Sequence, residues 1–344
     1  MSRLRRHPRL TVLGAVVLVL ILVAGTAYFV GGYIVYDKLT KVAANCDGLY
    51  AGNTPSAFTT PELDTTPYLM PSYQDVSFPS RGDPNVKISA WWVPGSSPTS
   101  PAVIIVHGLN RCKKSPTVLL PAGMLHRNGY NVLLIDLRNE GESTITNGRY
   151  AGGVVEYKDV LGAWDWLQSA KGIAPGHIGL IGMSLGAATV LIAAGQEPRV
   201  AAVWEDSGYS DINVAIADEL ARNGYPSILG PAGIFVAHLN GIDLTGLSPL
   251  DATAKLNGRP IAIIHCTGDT RMPVKHAYTL RKAVEDHGGR PYVWIVEGGT
   301  HNHAVYEHSA EYETRLVEFF APAIGSAQAN SEPQLHARAL AAAA

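Results

Sequence analysis

A single pentapeptide places one serine between two glycines. It reads Gly182-Met183-Ser184-Leu185-Gly186 and fits the pattern Gly-X-Ser-X-Gly. A serine hydroxyl attacks a carbonyl carbon efficiently only when a base accepts its proton and nearby amides bind the oxyanion. A tight turn between a strand and a helix exposes such a serine, and the glycines leave room for that turn. The pattern predicts that Ser184 is a nucleophile.

The segments on either side of Ser184 match this requirement. The apolar run 178–183 predicts a buried strand, and 185–196 predicts a helix that begins directly after the serine. The hydroxyl would then lie over the carboxyl edge of a sheet, near a helix N-terminus whose dipole favours developing negative charge. A glycine-rich turn with a helix-capping serine is the structural alternative, and the flanking strand and helix argue against it.

The rest of the chain alternates short apolar strands with amphipathic helices, which is typical of a mostly parallel sheet covered on both faces. The two strands in front are joined by a turn at 81–84, so we expect them to be antiparallel. The predicted strands cover 74–79, 86–93, 102–106, 130–137, 178–183, 200–205, 260–266 and 292–296, and the helices cover 116–128, 155–170, 185–196, 275–286 and 310–320.

Four further motifs resemble the α/β-hydrolase superfamily, and the resemblance extends over about 73–322. Residues 107–110 (His-Gly-Leu-Asn) look like the motif whose loop supplies an oxyanion-hole amide. Residues 136–143 are similar to Asp-X-Arg-Gly-His-Gly-X-Ser, with Asn-Glu in place of Gly-His. Residues 265–273 look like the strand-end motif that presents the acid, and 298–301 resemble the motif that presents the histidine. The resemblance implies an α/β-hydrolase fold.

The same resemblance implies the site residues. His301 would be the base and Asp269 the acid that orients it, in the chain order Ser, Asp, His of this fold. The backbone amides of Leu109 and Leu185 would form the oxyanion hole. The rivals are His303 and His308 for the base, and for the acid Asp206, because some relatives place the acid at the end of the preceding strand.

The alternation breaks between 207 and 258. This stretch interleaves apolar residues with glycine and proline, and the resemblance implies that it forms a cap insertion that shapes the substrate pocket. A plain helical connection packed on the sheet is the alternative. An apolar cap suits substrates with hydrophobic groups and does not identify one.

The N-terminus predicts a membrane anchor. Arginines at 3, 5, 6 and 9 precede an uncharged run, 10–36, which exceeds the roughly 20 apolar residues that cross a bilayer. The positive-inside rule keeps the basic tail cytoplasmic and places the rest on the outer side as a single-pass protein. A cleaved signal peptide ending near 23–27, which would make the protein secreted, is the alternative. The expected divisions are a basic tail 1–9, a transmembrane signal-anchor helix 10–36, a linker 37–71, the hydrolase domain 72–322 with its cap at 207–258, and a flexible tail 323–344.

The net charge and the cysteine content argue against several classes of partner and cofactor. The formal net charge of −2 gives no field that would attract nucleic acid. No spacing implies a metal or an organic cofactor. Cys46, Cys112 and Cys266 are too few and too scattered for a zinc site or a disulfide framework. We expect three unpaired thiols, with a Cys112–Cys266 bridge as the alternative.

The predicted function is a membrane-anchored serine hydrolase that cleaves carboxylic esters or thioesters through an acyl-enzyme on Ser184. Its substrate would be a small-molecule acyl ester, a thioester or a short peptide. A serine peptidase of the aminopeptidase or acylaminoacyl-peptidase type is the alternative. A non-catalytic binding protein of this fold is disfavoured, because such proteins typically lose a triad member and all three candidates are present here.

Overall fold

The computed structural model describes residues 8–43 and 46–327. The predicted basic tail therefore lies outside the described residues except for positions 8 and 9, and the predicted flexible tail lies outside them from residue 328 onward.

One mixed sheet forms the centre of the molecule, with the strand order β1-β2-β4-β3-β5-β6-β7-β8. Strand β2 is antiparallel to both of its neighbours, and all the other pairs are parallel. This confirms the prediction of a mostly parallel sheet with two antiparallel strands in front. The strands are β1 Gln74–Ser80, β2 Asp83–Val93, β3 Ala102–Val106, β4 Asn131–Ile135, β5 Ile178–Met183, β6 Ala202–Asp206, β7 Ile261–Cys266 and β8 Tyr292–Val296.

Helices cover both faces of this sheet, which explains why the residues of β3 through β7 are all buried. Successive side chains of a strand point to opposite faces. Val103 and Ile105 accordingly pack in one cluster with α3 and α11, whereas Ile104 and Val106 pack in the other with α4, α5 and α9. The bounds of the sheet-covering helices are α3 Pro116–Arg127, α4 Tyr157–Lys171, α5 Leu185–Gln196, α9 Lys275–Asp286, α10 Ala304–Glu307 and α11 Ser309–Ile324.

A separate cap layer lies between β6 and β7 in the chain. It contains α6 Ile212–Arg222 and α7 Leu229–Leu239, whereas α8 Pro249–Ala254, which follows them, packs against α5 and α9. Its own hydrophobic cluster joins residues of α6 and α7, such as Ile216 and Val236, to Leu185 beside the candidate nucleophile. The cap therefore lies over the carboxyl edge of the sheet, next to the start of α5.

The N-terminal helix α1, Pro8–Thr40, continues four residues beyond the predicted end at 36. Its residues from 12 to 30 are all exposed, whereas Val35 and Tyr36 are buried in the cluster of the cap. Within the described residues, α1 is the one helix long and apolar enough to cross a membrane, and a signal sequence near an N-terminus has the same properties. The last turns of α1 belong to the folded domain.

The segment predicted as a linker also packs on the domain. It carries α2 Cys46–Tyr50, a 3₁₀ turn at Thr66–Tyr68, and the buried side chains Phe58 and Met70 in the main core. Residues 46–70 thus cover the helix that follows β3.

The expectation of three unpaired thiols is wrong. Cys46 and Cys112 form a disulfide, and Cys266 is free and buried. The alternative Cys112–Cys266 bridge is wrong as well, because the sulfur of Cys112 is bonded to Cys46.

Candidate active site

Ser184 occupies a sharp turn between β5 and α5, with a positive φ of 56°. Few residues other than glycine adopt such a backbone, and functional sites often hold one. The Ser184 amide donates to the Asp206 carbonyl at 2.8 Å, which fixes the turn against β6. A Cβ on Gly182 would collide with the backbone of Gly186, and one on Gly186 would collide with the Val106 carbonyl. Close approach, rather than φ, therefore requires both glycines.

A chain of hydrogen bonds runs from Ser184 to Asp269. The Ser184 Oγ lies 2.7 Å from His301 Nε2, and His301 Nδ1 lies 2.6 Å from Asp269 Oδ2. The other carboxylate oxygen of Asp269 accepts from the amides of Arg271 and Met272 at 2.8 and 2.9 Å. Because the carboxylate only accepts, His301 Nδ1 carries the proton, and Nε2 is free to accept one from Ser184.

Electrostatics keep Asp269 ionised. Burial by itself would raise the pKa of its carboxyl, but the hydrogen bond and the charge of His301 outweigh burial and hold the pKa below its usual value. An ionised Asp269 is the partner that an imidazolium at His301 would require.

The rival acid, Asp206, has different partners. Its carboxylate oxygens accept from the Ser207 hydroxyl at 2.8 Å and from the Tyr312 hydroxyl at 2.9 Å. Burial raises the pKa of Asp206 to about 7, so at neutral pH a large fraction of it is uncharged. The structure brings Asp269, and not Asp206, to His301.

The rival bases bond to other partners than Ser184 and Asp269, although His303 lines the same cavity as Ser184. His303 Nδ1 is 3.5 Å from Glu307 at the molecular surface, and His308 Nδ1 is 3.9 Å from Glu311. Both side chains are more than a third exposed, and their partners belong to α10 and α11.

We expect Asp269→Asn to lower kcat for a soluble ester by about 10⁴-fold, because an amide favours the wrong imidazole tautomer and supplies no charge. Asp206→Asn is the matched control, since an amide resembles the neutral carboxyl: its oxygen can accept from one of the Ser207 and Tyr312 hydroxyls, and its NH2 group can donate to the oxygen of the other. Steady-state kinetics on both variants show which of the two carboxyl groups the reaction requires. A large loss in Asp206→Asn with a small loss in Asp269→Asn would assign the acid to β6.

The opposite side of Ser184 is formed by the loop after β3. A Cβ on Gly108 would lie 3.1 Å from Ser184 Cβ, so this loop passes directly over the serine. Leu109 and Leu185 line the same cavity as Ser184. Among the described residues, no protein atom accepts a hydrogen bond from the amide of either leucine, so both amides are available to an oxyanion.

Glu140 holds this loop in place, a role that the sequence did not suggest. Its carboxylate accepts from the Asn110 amide at 2.6 Å and lies 3.2 Å from His107 Nδ1. Burial raises the pKa of Glu140 well above its usual value. The one signal in the sequence was the departure of Asn139 and Glu140 from the family motif, which indicated a changed loop without naming its partner.

Two cavities of opposite character meet at Ser184. A polar cavity of about 430 Å³ opens toward the segment after α1, and an apolar cavity of about 250 Å³ lies under the cap. Arg271 lines both cavities. The polar side is further lined by Glu62, Arg111, His303 and Tyr306, and the more apolar side by Leu109, Leu185, Ile212, Ile216, Leu244 and Met272 together with Lys38 and Glu219. No cluster of His, Cys, Asp or Glu suited to a metal occurs within residues 8–43 and 46–327.

The fold and the turn at Ser184 define an α/β hydrolase. Solved structures share this fold: a Pyrococcus furiosus esterase aligns over 79% of this chain and 98% of its own, with a TM-score of 0.61 and 20% identity. The α/β hydrolase GrgF from Penicillium gives 0.59 at 17% identity over 74% of this chain and 99% of its own. A Pyrococcus horikoshii acylaminoacyl peptidase gives 0.55 at 18% identity over 77% of this chain and 43% of its own.

Residues 120–327 match the prolyl oligopeptidase family, and the chain belongs to it. An uncharacterized 31.7 kDa Escherichia coli protein is 29% identical over 40% of this chain, and the thiohydrolase aneE of Aspergillus aculeatus is 35% identical over 29% of it. The uncharacterized protein YqkD of Bacillus subtilis is 29% identical over 56%. The matches span 47%, 31% and 62% of these relatives' lengths, respectively. The chain thus belongs to the prolyl oligopeptidase family and has the α/β-hydrolase fold.

Proposed function

We propose that this protein hydrolyses carboxylic esters or thioesters through an acyl-enzyme on Ser184, with His301 as the base and Asp269 as the orienting acid. The observation that carries the proposal is the hydrogen-bonded chain from Ser184 through His301 to Asp269, which opens onto both cavities.

In the first half of the reaction, His301 Nε2 accepts the hydroxyl proton as Ser184 Oγ attacks the carbonyl carbon. The oxyanion that forms lies toward the amides of Leu109 and Leu185, where each well-placed donor contributes about 3–4 kcal/mol. His301 then gives its proton to the departing alkoxide or thiolate, and the alcohol or thiol leaves. In the second half, His301 takes a proton from water, the hydroxide attacks the acyl-enzyme, and the carboxylic acid is released as the proton returns to Ser184.

The two cavities suggest how a substrate is oriented. An acyl group gains from transfer out of water into the apolar cavity under the cap. The leaving group would then lie in the polar cavity, where Arg111 and Arg271 provide positive charge. This arrangement favours an ester or thioester with an apolar acyl part and a polar leaving group.

A peptidase is the second candidate. The polar cavity carries Glu62 together with the two arginines, and fixed charges of both signs could hold a peptide terminus. Membership of the prolyl oligopeptidase family supports this reading.

A panel of two butyryl substrates and two aminoacyl anilides separates the two candidates. The full-length chain in detergent micelles is assayed with a p-nitrophenyl butyrate ester, a butyryl thioester, and free and acetylated alanine p-nitroanilides. We expect the ester and the thioester to have the larger kcat/KM. An anilide hydrolysed as efficiently as the ester would overturn the ester assignment in favour of the peptidase.

We also propose that α1 anchors the protein in a membrane, with the basic N-terminal tail in the cytoplasm and the hydrolase domain on the outer side. The exposed stretch 12–30 is about 28 Å long at roughly 1.5 Å per residue, close to the roughly 30 Å of a hydrocarbon core. Cys46–Cys112 supports the outer side, because disulfides persist mainly in oxidising compartments.

A further inference from the structure

The helix α1 changes its surroundings at residue 31. Its exposed stretch ends there, and the aromatic side chains Tyr28, Phe29 and Tyr33 lie around the change and are themselves exposed. Tyrosine and tryptophan are enriched where a transmembrane helix leaves the hydrocarbon core. If α1 spans a bilayer as proposed, the outer membrane surface lies near Gly31.

The cap contacts α1 beside the residues where its exposed stretch ends. The Tyr28 hydroxyl donates to the Ile228 carbonyl at 3.0 Å, and a Cβ on Gly31 would lie 2.9 Å from Leu229 Cδ2. Tyr225 and Ile228, in the connection between α6 and α7, are exposed by 43% and 69%. Exposed apolar residues beside a membrane helix are stable at the bilayer surface and costly in water.

A third cavity, of about 420 Å³, opens between α1 and the cap at this level. Most of its lining is apolar, and three of its residues, Lys38, Leu39 and Glu219, also line the apolar cavity at Ser184. The two cavities are therefore neighbours with a common wall. The apolar part of the lining of the third cavity is Ile34, Val35, Leu39, Leu220, Tyr225 and Leu229.

The charged residues that line both cavities do not block a path between them. Glu219 forms an ion pair with Arg222 at 2.6 Å on the same helix, so its charge is neutralised locally. Lys38 is exposed, and a lysine can lay its apolar stem along a hydrophobic surface while its ammonium group stays in water.

We infer that the third cavity is the entrance for the acyl chain of an ester lipid, which passes from the bilayer between α1 and α6 into the apolar cavity at Ser184. This inference rests on the proposed ester hydrolysis and on the proposed anchor. Transfer of a long acyl chain into water costs about 0.8 kcal/mol of free energy per CH₂. A route that begins at the bilayer and is lined by apolar side chains avoids that cost.

Photo-crosslinking tests the route without requiring turnover. The full-length Ser184→Ala protein is placed in phosphatidylcholine vesicles that contain a palmitoyl ester with a diazirine at the end of its acyl chain. We expect label on residues 12–30 and also on 212–216 of α6, the part of the cap that lines the apolar cavity.

Two variants on α1 form a matched pair. Ile34→Trp fills the third cavity and should lower the labelling of 212–216 about ten-fold, in line with the cost of overpacking, while label on 12–30 is unchanged. Tyr33 is about as exposed as Ile34 but lines none of the three cavities at this end of the fold, so Tyr33→Trp should leave both signals as they are.

Equal labelling of 212–216 in the two variants would overturn the proposal that the third cavity is an entrance, as would an absence of label at 212–216 in both. Hydrolysis of a soluble butyrate ester by the protein with Ser184 intact, measured in the same vesicles, reports on the proposed function separately. If that hydrolysis is absent while 212–216 is labelled, the chemistry is wrong and the acyl site stands.

Discussion

Replacement of Ser184 by alanine is expected to lower kcat for p-nitrophenyl butyrate by about 10⁶-fold, to the level left by binding and the oxyanion hole alone. The physical reason is that no other hydroxyl lies within hydrogen-bonding distance of His301 Nε2 among the described residues. Without Oγ no acyl-enzyme forms, so the initial burst of p-nitrophenol disappears together with the steady-state rate.

The domain should remain folded in this variant, because the one side-chain hydrogen bond of Ser184 is the one to His301. Circular dichroism and the thermal midpoint provide the check. Ser210→Ala is the matched control: its hydroxyl is buried and bonds to His276 at 3.0 Å, away from the reacting atoms. An unchanged rate in Ser184→Ala would refute the assignment of the nucleophile.

His301→Ala is expected to have an effect of similar size, a fall of about 10⁶-fold in kcat, because base and nucleophile act as a unit. His303→Ala should change kcat by less than about ten-fold, since that side chain is 36% exposed and contacts Glu307. The two substitutions remove the same group two residues apart, so each controls for the other.

Added imidazole sharpens the comparison. Deletion of His301 leaves a space between Ser184 and Asp269, and free imidazole that enters it should restore part of the rate in His301→Ala and none in the other variant. The assignment fails if His303→Ala is the inactive protein of the pair and imidazole rescues that one.

Much of the fold could be predicted because the information is local. The runs that form β3 and β5 are continuously apolar and end at glycine or serine turns, so their bounds agree with the structure. Ser184 could be found for the same reason, since the glycines that the turn requires flank it in the sequence. The structure brings Asp269 and His301 to Ser184, and the catalytic roles of the three side chains stay predictions.

What could not be predicted depends on contacts between distant segments. Nothing around Cys46 indicates that residues 46–70 fold back over the loop after β3, so its pairing with Cys112 was missed. The glycines at 31 and 32 look like ordinary residues of an apolar helix until α7 packs against them, with Ala232 so close to Gly32 that a side chain there would clash. Glu140 likewise gains its role only from Asn110, thirty residues earlier in the chain.

The disulfide also limits the distance between the C-terminal end of α1 and the loop after β3. Five residues, 41–45, separate the end of α1 at Thr40 from Cys46, and these six Cα-to-Cα steps span at most about 20 Å when fully stretched. Cys112 lies three residues after Leu109, which lines the cavity at the candidate nucleophile. The loop after β3 therefore stays within that distance of the C-terminal end of α1 as long as the disulfide is intact. If α1 spans a membrane, bond cleavage is confined to a shallow layer beside the lipid surface.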